Sequence, residues 1–538
     1  MVKDSTAHPL NPLSHRPSPR PWRWLWLAPV LLSSALLLTV ACTSDSVSDE
    51  AGSEAPQAAV EPLPERPDIL LITVDTLRAD HVSSYGYQRV TSPVIDLLAA
   101  EGVRFDQPMV QWPKTSPSFA SIFTTTYPKD NGIVRRVGKP LDCRFYMLAE
   151  HLRDLGYGTH AVVANGALAT DFYFDQGFDT YIETWKLEPP EDGSDPNRAE
   201  IVTHLAQGLL DRISAEREEG KPYFLWVHYL DPHAPYTPPG KYSDMFQGDE
   251  FWSPEPRINI VDKPKQQMAG IGQTQVLDGR DELDFYRARY DAEIAYNDEQ
   301  VGILLDSLEE QELMSNTLTV FTSDHGESLG EHHYYFDHGR FSFETCLRVP
   351  LIFHYPGVLE PKVDGAPVEL IHLGPTLLQA AGADLSADGS YMQGRSLLPR
   401  LRGEPMPPWP AGARGLEPMI SFDGLGFAEA GWETRNKWQK VVRDQRFKLI
   451  FAQTTPEQRW IGGEGVRFTL FDLENDPMET RNVAEEFPQD LQRLQRALQA
   501  WDGAERFSAL VDPRSAECGD ARTMDSETED LLRSLGYL

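Results

Sequence analysis

Apolar runs alternate with amphipathic stretches along most of the chain. The runs are rich in β-branched and aromatic residues, which is typical of strands buried in a parallel sheet, and they cover residues 69–74, 159–163, 223–228, 317–322 and 349–353. Between these runs, apolar residues recur with helical spacing over residues 94–100, 118–124, 147–155, 201–213 and 286–308. Strands that alternate with helices predict an α/β fold with a mostly parallel sheet flanked by helices.

The pattern changes from about Met406 onwards. Short antiparallel strands are predicted at residues 440–442, 447–450 and 468–471, followed by a helix over residues 488–501. We therefore predict a main α/β domain over residues 67–405 and a smaller C-terminal α+β subdomain over residues 406–538. The segment 531–538 is largely apolar, so we expect it to dock on the body of the protein.

The N-terminal region has the layout of an export signal. Arg16, Arg20 and Arg23 precede an uncharged apolar run over residues 24–40, which is short for a helix that spans a bilayer. The run leads to Cys42, which follows a small residue. This arrangement resembles the bacterial lipobox, in which the cysteine receives a diacylglycerol and becomes the new N-terminus.

The lipobox resemblance implies a lipoprotein-type signal peptide over residues 1–42 and a lipid anchor on Cys42 that holds the protein to a membrane of the bacterial cell envelope. Residues 43–66 are rich in Ser, Asp, Glu, Ala, Gly and Pro, and they predict a flexible, solvated linker. Thr39 stands where the lipobox usually has Leu, so a plain signal peptide and a retained anchor helix remain alternatives.

The sequence carries a net charge of −33 at pH 7. This charge argues against a nucleic-acid partner, because phosphate backbones attract Lys and Arg. A small anionic substrate would need a locally positive site, which a bound cation can supply. No protein partner is evident. The four cysteines are too few for a disulfide scaffold, and with Cys42 lipidated at most one internal bridge can form.

Acidic residues and histidines follow three of the predicted strands. Asp75 comes directly after the first strand, Asp231 and His233 follow the third, and Asp324 and His325 follow the fourth. Ligands collect at the carboxyl ends of strands in such sheets, so together these residues predict an active site. Mixed carboxylate and imidazole ligands suit one divalent metal, with Zn²⁺ or Mn²⁺ favoured and Ca²⁺ or Mg²⁺ as alternatives.

A candidate nucleophile lies among the hydroxyl residues of the segment 112–121, just before the helix predicted to begin at Ser118. A hydroxyl at a helix start, faced by backbone N–H groups, is well placed to attack an ester and stabilise the anion that forms. A Ser/Thr-rich capping turn is the alternative interpretation of the same residues.

An ordered series of motifs from Pro67 to the C-terminus resembles the sulfatase family of the alkaline-phosphatase superfamily. The matching motifs are at residues 68–80, 85–86, 91–96, 115–118, 124–132, 323–332, 348–357 and 470–482. This resemblance implies an alkaline-phosphatase-like core for the predicted main domain, which would then be the catalytic domain.

The resemblance also implies roles for individual residues. Asp75, Thr115, Asp324 and His325 would hold one divalent metal, and Thr115 would be the covalent nucleophile. His233 would contact the substrate anion or protonate the leaving group.

Three further residues are candidate anion contacts. Lys114 and Arg78 are candidates for contact with the substrate, and His338 stands where sulfatases commonly place a sulfate-binding Lys. His338 together with Asp231 or His233 could instead hold a second metal, as in two-metal relatives.

The sequence departs from true sulfatases at four informative positions. Sulfatases have Cys or Ser at the position of Thr115, which is oxidised to formylglycine, and Arg at the position of Phe119. Thr76 replaces a second Asp, and His325 stands where many sulfatases have Asn. A Thr combined with Asp-His resembles the phosphodiesterase and phosphoethanolamine-transferase branches.

The expected function is therefore metal-dependent hydrolysis of a small anionic ester, with cleavage of a phosphoester or phosphodiester through a covalent intermediate on Thr115. A sulfatase that works without formylglycine, a phosphoethanolamine-type transferase acting on envelope glycans or lipids, and a non-catalytic binding lipoprotein remain as alternatives.

Overall fold

The structure is a computed structural model that describes residues 66–538 apart from several gaps. The gaps comprise residues 135–138, 190–192, 194, 217–219, 249–250, 252–256, 262–269, 386–391, 408–424, 432–437, 453–467, 504–521, 536 and 538. The predicted signal peptide, the predicted lipidation site Cys42 and nearly all of the predicted linker lie outside the described residues. No described helix is both long enough and apolar enough to cross a bilayer.

The described strands are numbered here in chain order. They are β1 (Asp68–Val74), β2 (Val103–Met109), β3 (Gly158–Val163), β4 (Thr180–Glu183), β5 (Tyr223–Tyr229), β6 (Ile260–Val261), β7 (Ile271–Gly272), β8 (Thr317–Ser323), β9 (Ser328–Leu329), β10 (Tyr335–Asp337), β11 (Leu351–His354), β12 (Lys362–Glu369), β13 (Gly426–Gly431), β14 (Trp438–Arg443), β15 (Phe447–Ala452) and β16 (Phe468–Asp472).

Eight of these strands form the main sheet, in the order β12-β2-β11-β8-β1-β5-β3-β4. β11 runs antiparallel to its neighbours β2 and β8, whereas the other pairings in the sheet are parallel. Every residue of β1, β5 and β8 is buried, and this is why their sequences are continuous apolar runs. The strand ends of β1, β5 and β8 are aligned, because Val74 pairs with both Tyr229 and Ser323.

Two groups of helices pack on this sheet. The described α-helices are α1 (Pro93–Glu101), α2 (Thr115–Thr124), α3 (Pro128–Asn131), α4 (Leu148–Asp154), α5 (Ala199–Glu216), α6 (Leu283–Glu310), α7 (Glu344–Leu347), α8 (Leu373–Ala380), α9 (Leu398–Leu401), α10 (Pro488–Asp502) and α11 (Ser526–Ser534). One group consists of α1 and α5 packed against α6, and the other consists of α4 and α8 packed against α2.

The C-terminal part of the chain forms a second, antiparallel sheet in the order β13-β14-β15-β16, covered by α10. A fully buried lysine, Lys448 on β15, joins this sheet to the main domain. Its Nζ lies 2.8 Å from Glu479 Oε1 and 3.1 Å from Glu344 Oε1, and Glu344 is the first residue of α7. Because an unpaired buried charge is costly, both carboxylates must stay in place for this lysine to be tolerated.

The α/β class, the mostly parallel sheet and the smaller C-terminal subdomain predicted from the sequence are confirmed. The predicted strands and helices are present with shifts of one to a few residues at their ends. One shift matters for function, because α2 begins at Thr115 and not at Ser118. Pro117 lies inside the first turn, where a proline is tolerated because its missing N–H would have no partner within the helix.

Two of the four cysteines can be assigned. Cys143 is disulfide-bonded, and Cys346 is a buried free thiol.

Candidate active site

Polar side chains that lie at or follow the carboxyl ends of five parallel strands meet at one edge of the main sheet. These side chains are Asp75 after β1, Thr115 after β2, Asn165 after β3, His228 near the end of β5, His233 after β5, and Asp324 and His325 after β8. All of them are buried. Parallel strands end at the same edge of a sheet, so residues far apart in the sequence meet there.

Three of these residues form a group that could hold a metal ion. One ligand atom each from Asp75, His228 and Asp324 lie within 4.8 Å of one another. Asp75 Oδ1 and His228 Nε2 are buried and make no hydrogen bond with any described residue. Leaving such atoms unsatisfied costs about 1–3 kcal/mol each, so the donor set fits a bound divalent cation.

His325 and Thr115 complete the set that the sequence predicted. His325 Nδ1 lies 2.9 Å from the Gly326 carbonyl oxygen, so Nδ1 carries the proton and donates to it. The free Nε2 then faces inwards, 3.3 Å from Thr115 Oγ1 and 3.4 Å from Asp324 Oδ2. Asp75, Thr115, Asp324 and His325 are therefore brought together, and the structure adds His228 to them.

Charges at this centre are poorly balanced by the protein alone. Burial and the nearby charge of Asp75 raise the pKa of Asp324 well above its usual range. Burial also acts to raise the pKa of Asp75, but the contact with His228 and the charges of His233 and His325 lower it to about 2. Two buried carboxylates that repel each other when both are ionised are typical of a cation site. A divalent ion would stabilise both in the charged form.

The backbone after β1 is strained where it approaches Asp324. Thr76 has a φ of 56°, in the left-handed region, and its N–H donates to Asp324 Oδ1 at 3.3 Å. A non-glycine residue in this conformation costs on the order of 1 kcal/mol. The hydrogen bond to Asp324 helps to hold this strained loop, which places Asp75 opposite Asp324.

Two more histidines face the same centre. His233 Nδ1 lies 2.7 Å from the Ala234 carbonyl oxygen, and the centres of the His233 and His338 rings are 5.4 Å apart. His338 Nδ1 lies 3.2 Å from Glu327 Oε1. Burial and the neighbouring His325 and His233 lower the pKa of His338 well below its usual range, so it is neutral at pH 7.

Lys114 precedes α2 and lies beside the nucleophile candidate. Its Nζ is 5.5 Å from the centre of the Tyr537 ring, which itself contacts Thr115. The sequence-predicted residues Lys114, His233 and His338 therefore surround the same centre as the predicted metal ligands.

Two sequence-based assignments need correction. Arg78 is buried, and its guanidinium is paired with Asp80 at 2.7 Å and Glu331 at 2.8 Å, so it ties neighbouring loops together and is not a contact for the substrate anion. Asp231 accepts the N–H of Ala199 at 2.9 Å, at the start of α5. This carboxylate is engaged at the start of a helix, and among the described residues the group that could hold a metal ion consists of Asp75, His228 and Asp324 and does not include it.

Three residues of the site were not assigned from the sequence. Asn165 donates a hydrogen bond from Nδ2 to Asp75 Oδ2. It could have been predicted from the sequence, because it follows a predicted strand in the same way as Asp75. His228 lies in a predicted strand and was interpreted only as part of its apolar run. Tyr537 contacts Thr115 and His233, and no local pattern marks it.

An aromatic cluster sets the orientation of His228. The ring of Phe119 packs edge-on against His228 with centres 5.0 Å apart, and lies 4.9 Å from Trp226. Trp226 Nε1 donates to Thr73 Oγ1, which lies 3.0 Å from His228 Nδ1. Phe119 therefore brings an apolar contact, and no positive charge, to this side of the centre.

Comparisons with known proteins agree with this geometry. The family model described as Sulfatase matches residues 67–383, and the model described as N-sulphoglucosamine sulphohydrolase, C-terminal, matches residues 330–501. Choline-sulfatase of Rhizobium meliloti is 28% identical over 462 residues, which cover 78% of this chain and 83% of that protein. N-acetylglucosamine-6-O-sulfatase of Bacteroides thetaiotaomicron is 25% identical over 493 residues, which cover 78% of this chain and 83% of that protein.

Among solved structures, the phosphonate monoester hydrolase of Agrobacterium radiobacter superposes with a TM-score of 0.60 at 23% identity, covering 80% of this chain and 94% of that one. This likeness supports the alkaline-phosphatase-like core.

Divalent metal should stabilise the protein through Asp324. Adding Zn²⁺ or Mn²⁺ to chelator-treated protein is expected to raise Tm by a few degrees, because a ligand at a hundred times its Kd adds about 2.7 kcal/mol to stability. Differential scanning calorimetry should show this shift largely lost in Asp324→Asn. Asp154→Asn, which alters a carboxylate bonded to Tyr146 at the surface, should keep the full shift. Equal shifts in wild type and Asp324→Asn would contradict the site.

Proposed function

The chain belongs to the sulfatase family and is a hydrolase of ester bonds, and from this premise we propose that it cleaves a phosphoester or phosphodiester through a covalent intermediate on Thr115. The natural substrate would be a small anionic ester. The reaction would depend on one divalent metal, with Zn²⁺ or Mn²⁺ favoured over Ca²⁺ and Mg²⁺.

One observation carries this proposal. Thr115 Oγ1 lies 3.3 Å from His325 Nε2, at the first turn of α2 and beside the Asp75–Asp324 pair. A hydroxyl in this position has a helix N-terminus behind it, whose partial positive charge favours a developing anion. Carboxylates and an imidazole also surround it on the side where a cation would bind.

The identity of the nucleophile favours phosphorus chemistry. Oxidation of a threonine side chain at the carbon that bears the hydroxyl gives a ketone, so this residue cannot become the aldehyde formylglycine. Phe119 also brings no positive charge to the position where true sulfatases carry Arg. The site would then act through a plain hydroxyl, which suits the Thr-nucleophile branch of the superfamily.

We assign the residues of this chain to metal binding and to nucleophilic attack. Asp75, Asp324, His325 and Thr115, with His228 beside them, would hold the metal, which supplies Lewis-acid stabilisation of the oxygens on the reacting centre. Thr115, as its alkoxide, would attack phosphorus through Oγ1 and displace the ester oxygen, which leaves with the electron pair of the broken bond.

Two further groups would complete the reaction. His233 supplies the proton that the departing oxygen needs. Water then cleaves the ester on Thr115. Lys114 and His338 would contact the remaining oxygens of the substrate.

A sulfate ester is the second candidate substrate. This candidate is favoured by the similarity of the chain to proteins named choline-sulfatase and N-acetylglucosamine-6-O-sulfatase. Together these names suggest a sulfated small molecule or sugar as the substrate. Attack by Thr115 on sulfur would follow the same steps without formylglycine.

Thr115→Ala should abolish turnover. We expect the metal-loaded full-length protein to hydrolyse an aryl phosphodiester faster than an aryl sulfate, with kcat/KM falling by roughly 10³-fold or more in Thr115→Ala, because the attacking oxygen is lost. Steady-state assays on both substrates measure this. Ser118→Ala is the matched control, since it removes another buried hydroxyl of the same helix and should retain activity.

The competing interpretations give different results in this assay. Faster turnover of the sulfate would overturn the preference for phosphorus. Turnover of the diester only when an alcohol acceptor is present would indicate a transferase. No turnover of either ester would favour a binding lipoprotein.

We also propose that the protein is exported and anchored by a lipid on Cys42 at the bacterial cell envelope. The sequence before Cys42 supports this, and so does the disulfide-bonded Cys143, because disulfides persist in oxidising compartments outside the cytoplasm.

Cys42→Ser should release the protein from membranes. In a bacterium that expresses the full-length chain, we expect wild type to incorporate labelled palmitate and to sediment with membranes, and Cys42→Ser to do neither, because the acceptor thiol is gone. Cys346→Ser, at a buried thiol, serves as the control and should leave labelling unchanged. Unchanged labelling in Cys42→Ser would show that the anchor lies elsewhere.

A further inference from the structure

The side chain of Tyr537, which follows α11, fills the space beside the proposed nucleophile. Tyr537 Oη is 3.2 Å from Thr115 Oγ1 and 3.1 Å from His233 Nε2. The proposed reaction needs phosphorus at about 3–3.5 Å from the attacking oxygen, with the ester oxygen on the side of His233. The phenol oxygen therefore lies where the reacting group of the substrate would have to lie.

The ring of Tyr537 fills the rest of the same position. Its centre is 5.6 Å from the centre of the His233 ring and 6.2 Å from that of His338, and Lys114 Nζ lies 5.5 Å from it. These three side chains are the proposed contacts for the substrate. Because the atoms of two molecules cannot share one volume, the substrate and this ring cannot occupy the site together.

Contacts outside the site dock α11 on the body of the protein. Asp525 accepts the N–H of Thr528 at 2.8 Å and so caps the helix, and it pairs with Lys186 at 2.6 Å. Thr528 Oγ1 accepts from Trp185 Nε1 at 3.2 Å. None of these four residues belongs to the proposed site, so they hold the tyrosine in place without touching the reacting groups.

This docking is weak enough to be reversible. The side chains of Asp525 and Lys186 are 34% and 25% exposed, and such partly exposed ion pairs contribute little to stability. Within α11 the buried residues are Thr528 and Leu532. The Leu532 carbonyl oxygen accepts the N–H of Tyr537 at 2.8 Å, which ties the tyrosine to the helix. A segment with few buried apolar contacts opens far more easily than the core strands.

We propose that α11 together with Tyr537 forms an autoinhibitory plug, and that the substrate binds only after the plug has left the site. This proposal rests on the function proposed above for the position of the substrate. The structure then shows the closed state. The apparent affinity for the substrate is reduced by the fraction of molecules that are open, so any change that loosens α11 raises it.

Tyr537→Ala tests the plug by removing the ring. In metal-loaded full-length protein we expect inorganic phosphate and sulfate to bind about 10-fold more tightly than to wild type, because the phenol no longer competes. Isothermal titration calorimetry measures this. KM for an aryl phosphodiester should fall by a similar factor with kcat unchanged. Tyr146→Ala, at a tyrosine whose hydroxyl bonds to Asp154 at the surface, should change neither constant.

Asp525→Ala tests the plug from a distance. Loss of the helix cap and of the pairing with Lys186 should lower KM by about 2- to 10-fold with kcat unchanged, as loss of such a cap shifts an equilibrium. Asp525 contacts no reacting group, so a lower KM would come from the plug. Glu529→Gln is the matched control, since Glu529 pairs with Arg533 at the exposed side of the same helix, and should leave KM unchanged.

Hydrogen exchange follows the departure of the plug directly. With saturating phosphate, the backbone amides of α11 in the metal-loaded wild type should exchange faster with solvent, because the helix leaves its docking surface when the site is filled. Mass spectrometry of peptides from this segment measures the rate. Unchanged or slower exchange would contradict the plug.

The binding results also decide against the plug where they go the other way. Unchanged or weaker binding of both anions to Tyr537→Ala, or no binding to either protein, would overturn it, and so would an unchanged or higher KM. These measurements do not depend on the identity of the nucleophile. If Thr115→Ala stays active the proposed function itself fails, whereas an inactive Thr115→Ala with any of these results fails only the plug.

Discussion

Two buried carboxylates at the centre of the sheet, Asp75 and Asp324, impose the main constraint on this structure. They follow β1 and β8, whose last residues Val74 and Ser323 are paired, so the strand register itself forces the two acids side by side. Like charges in a buried setting repel strongly, and the fold tolerates them only with compensating groups nearby. His228 and the other histidines at the same edge supply part of that compensation, and the unsatisfied ligand atoms fit a group that could also hold a cation.

Much of the fold and the centre of the site could be predicted because both follow from one rule. Buried parallel strands are continuous apolar runs, and polar residues that directly follow them must meet at one edge. Asp75 and Asp324 were found in this way, and His325 came with them. Strands with half-exposed residues were missed, such as β2 and β4, since their sequences lack a continuous apolar run.

Other features could not be read from local sequence because tertiary contacts decide them. The family resemblance made Arg78 a candidate anion contact, but the acids that neutralise it, Asp80 and Glu331, are brought to it by folding. The helix predicted to begin at Ser118 begins at Thr115, because a proline such as Pro117 is also tolerated within a first turn. Tyr537 reaches the centre through the packing of α11, and no spacing along the chain encodes that distance.

The dependence of the site on α11 also constrains how the enzyme is made. The first strand of the sheet contributes Asp75, whereas the hydroxyl beside Thr115 comes from residue 537. A ribosome builds the chain in one direction, so the core strands can pair while the last contributor to the site is still unsynthesised. A chain caught at that stage would have its carboxylates and histidines in place but lack the phenol beside Thr115. Synthesis therefore separates the pairing of the core strands from the arrival of Tyr537 beside Thr115.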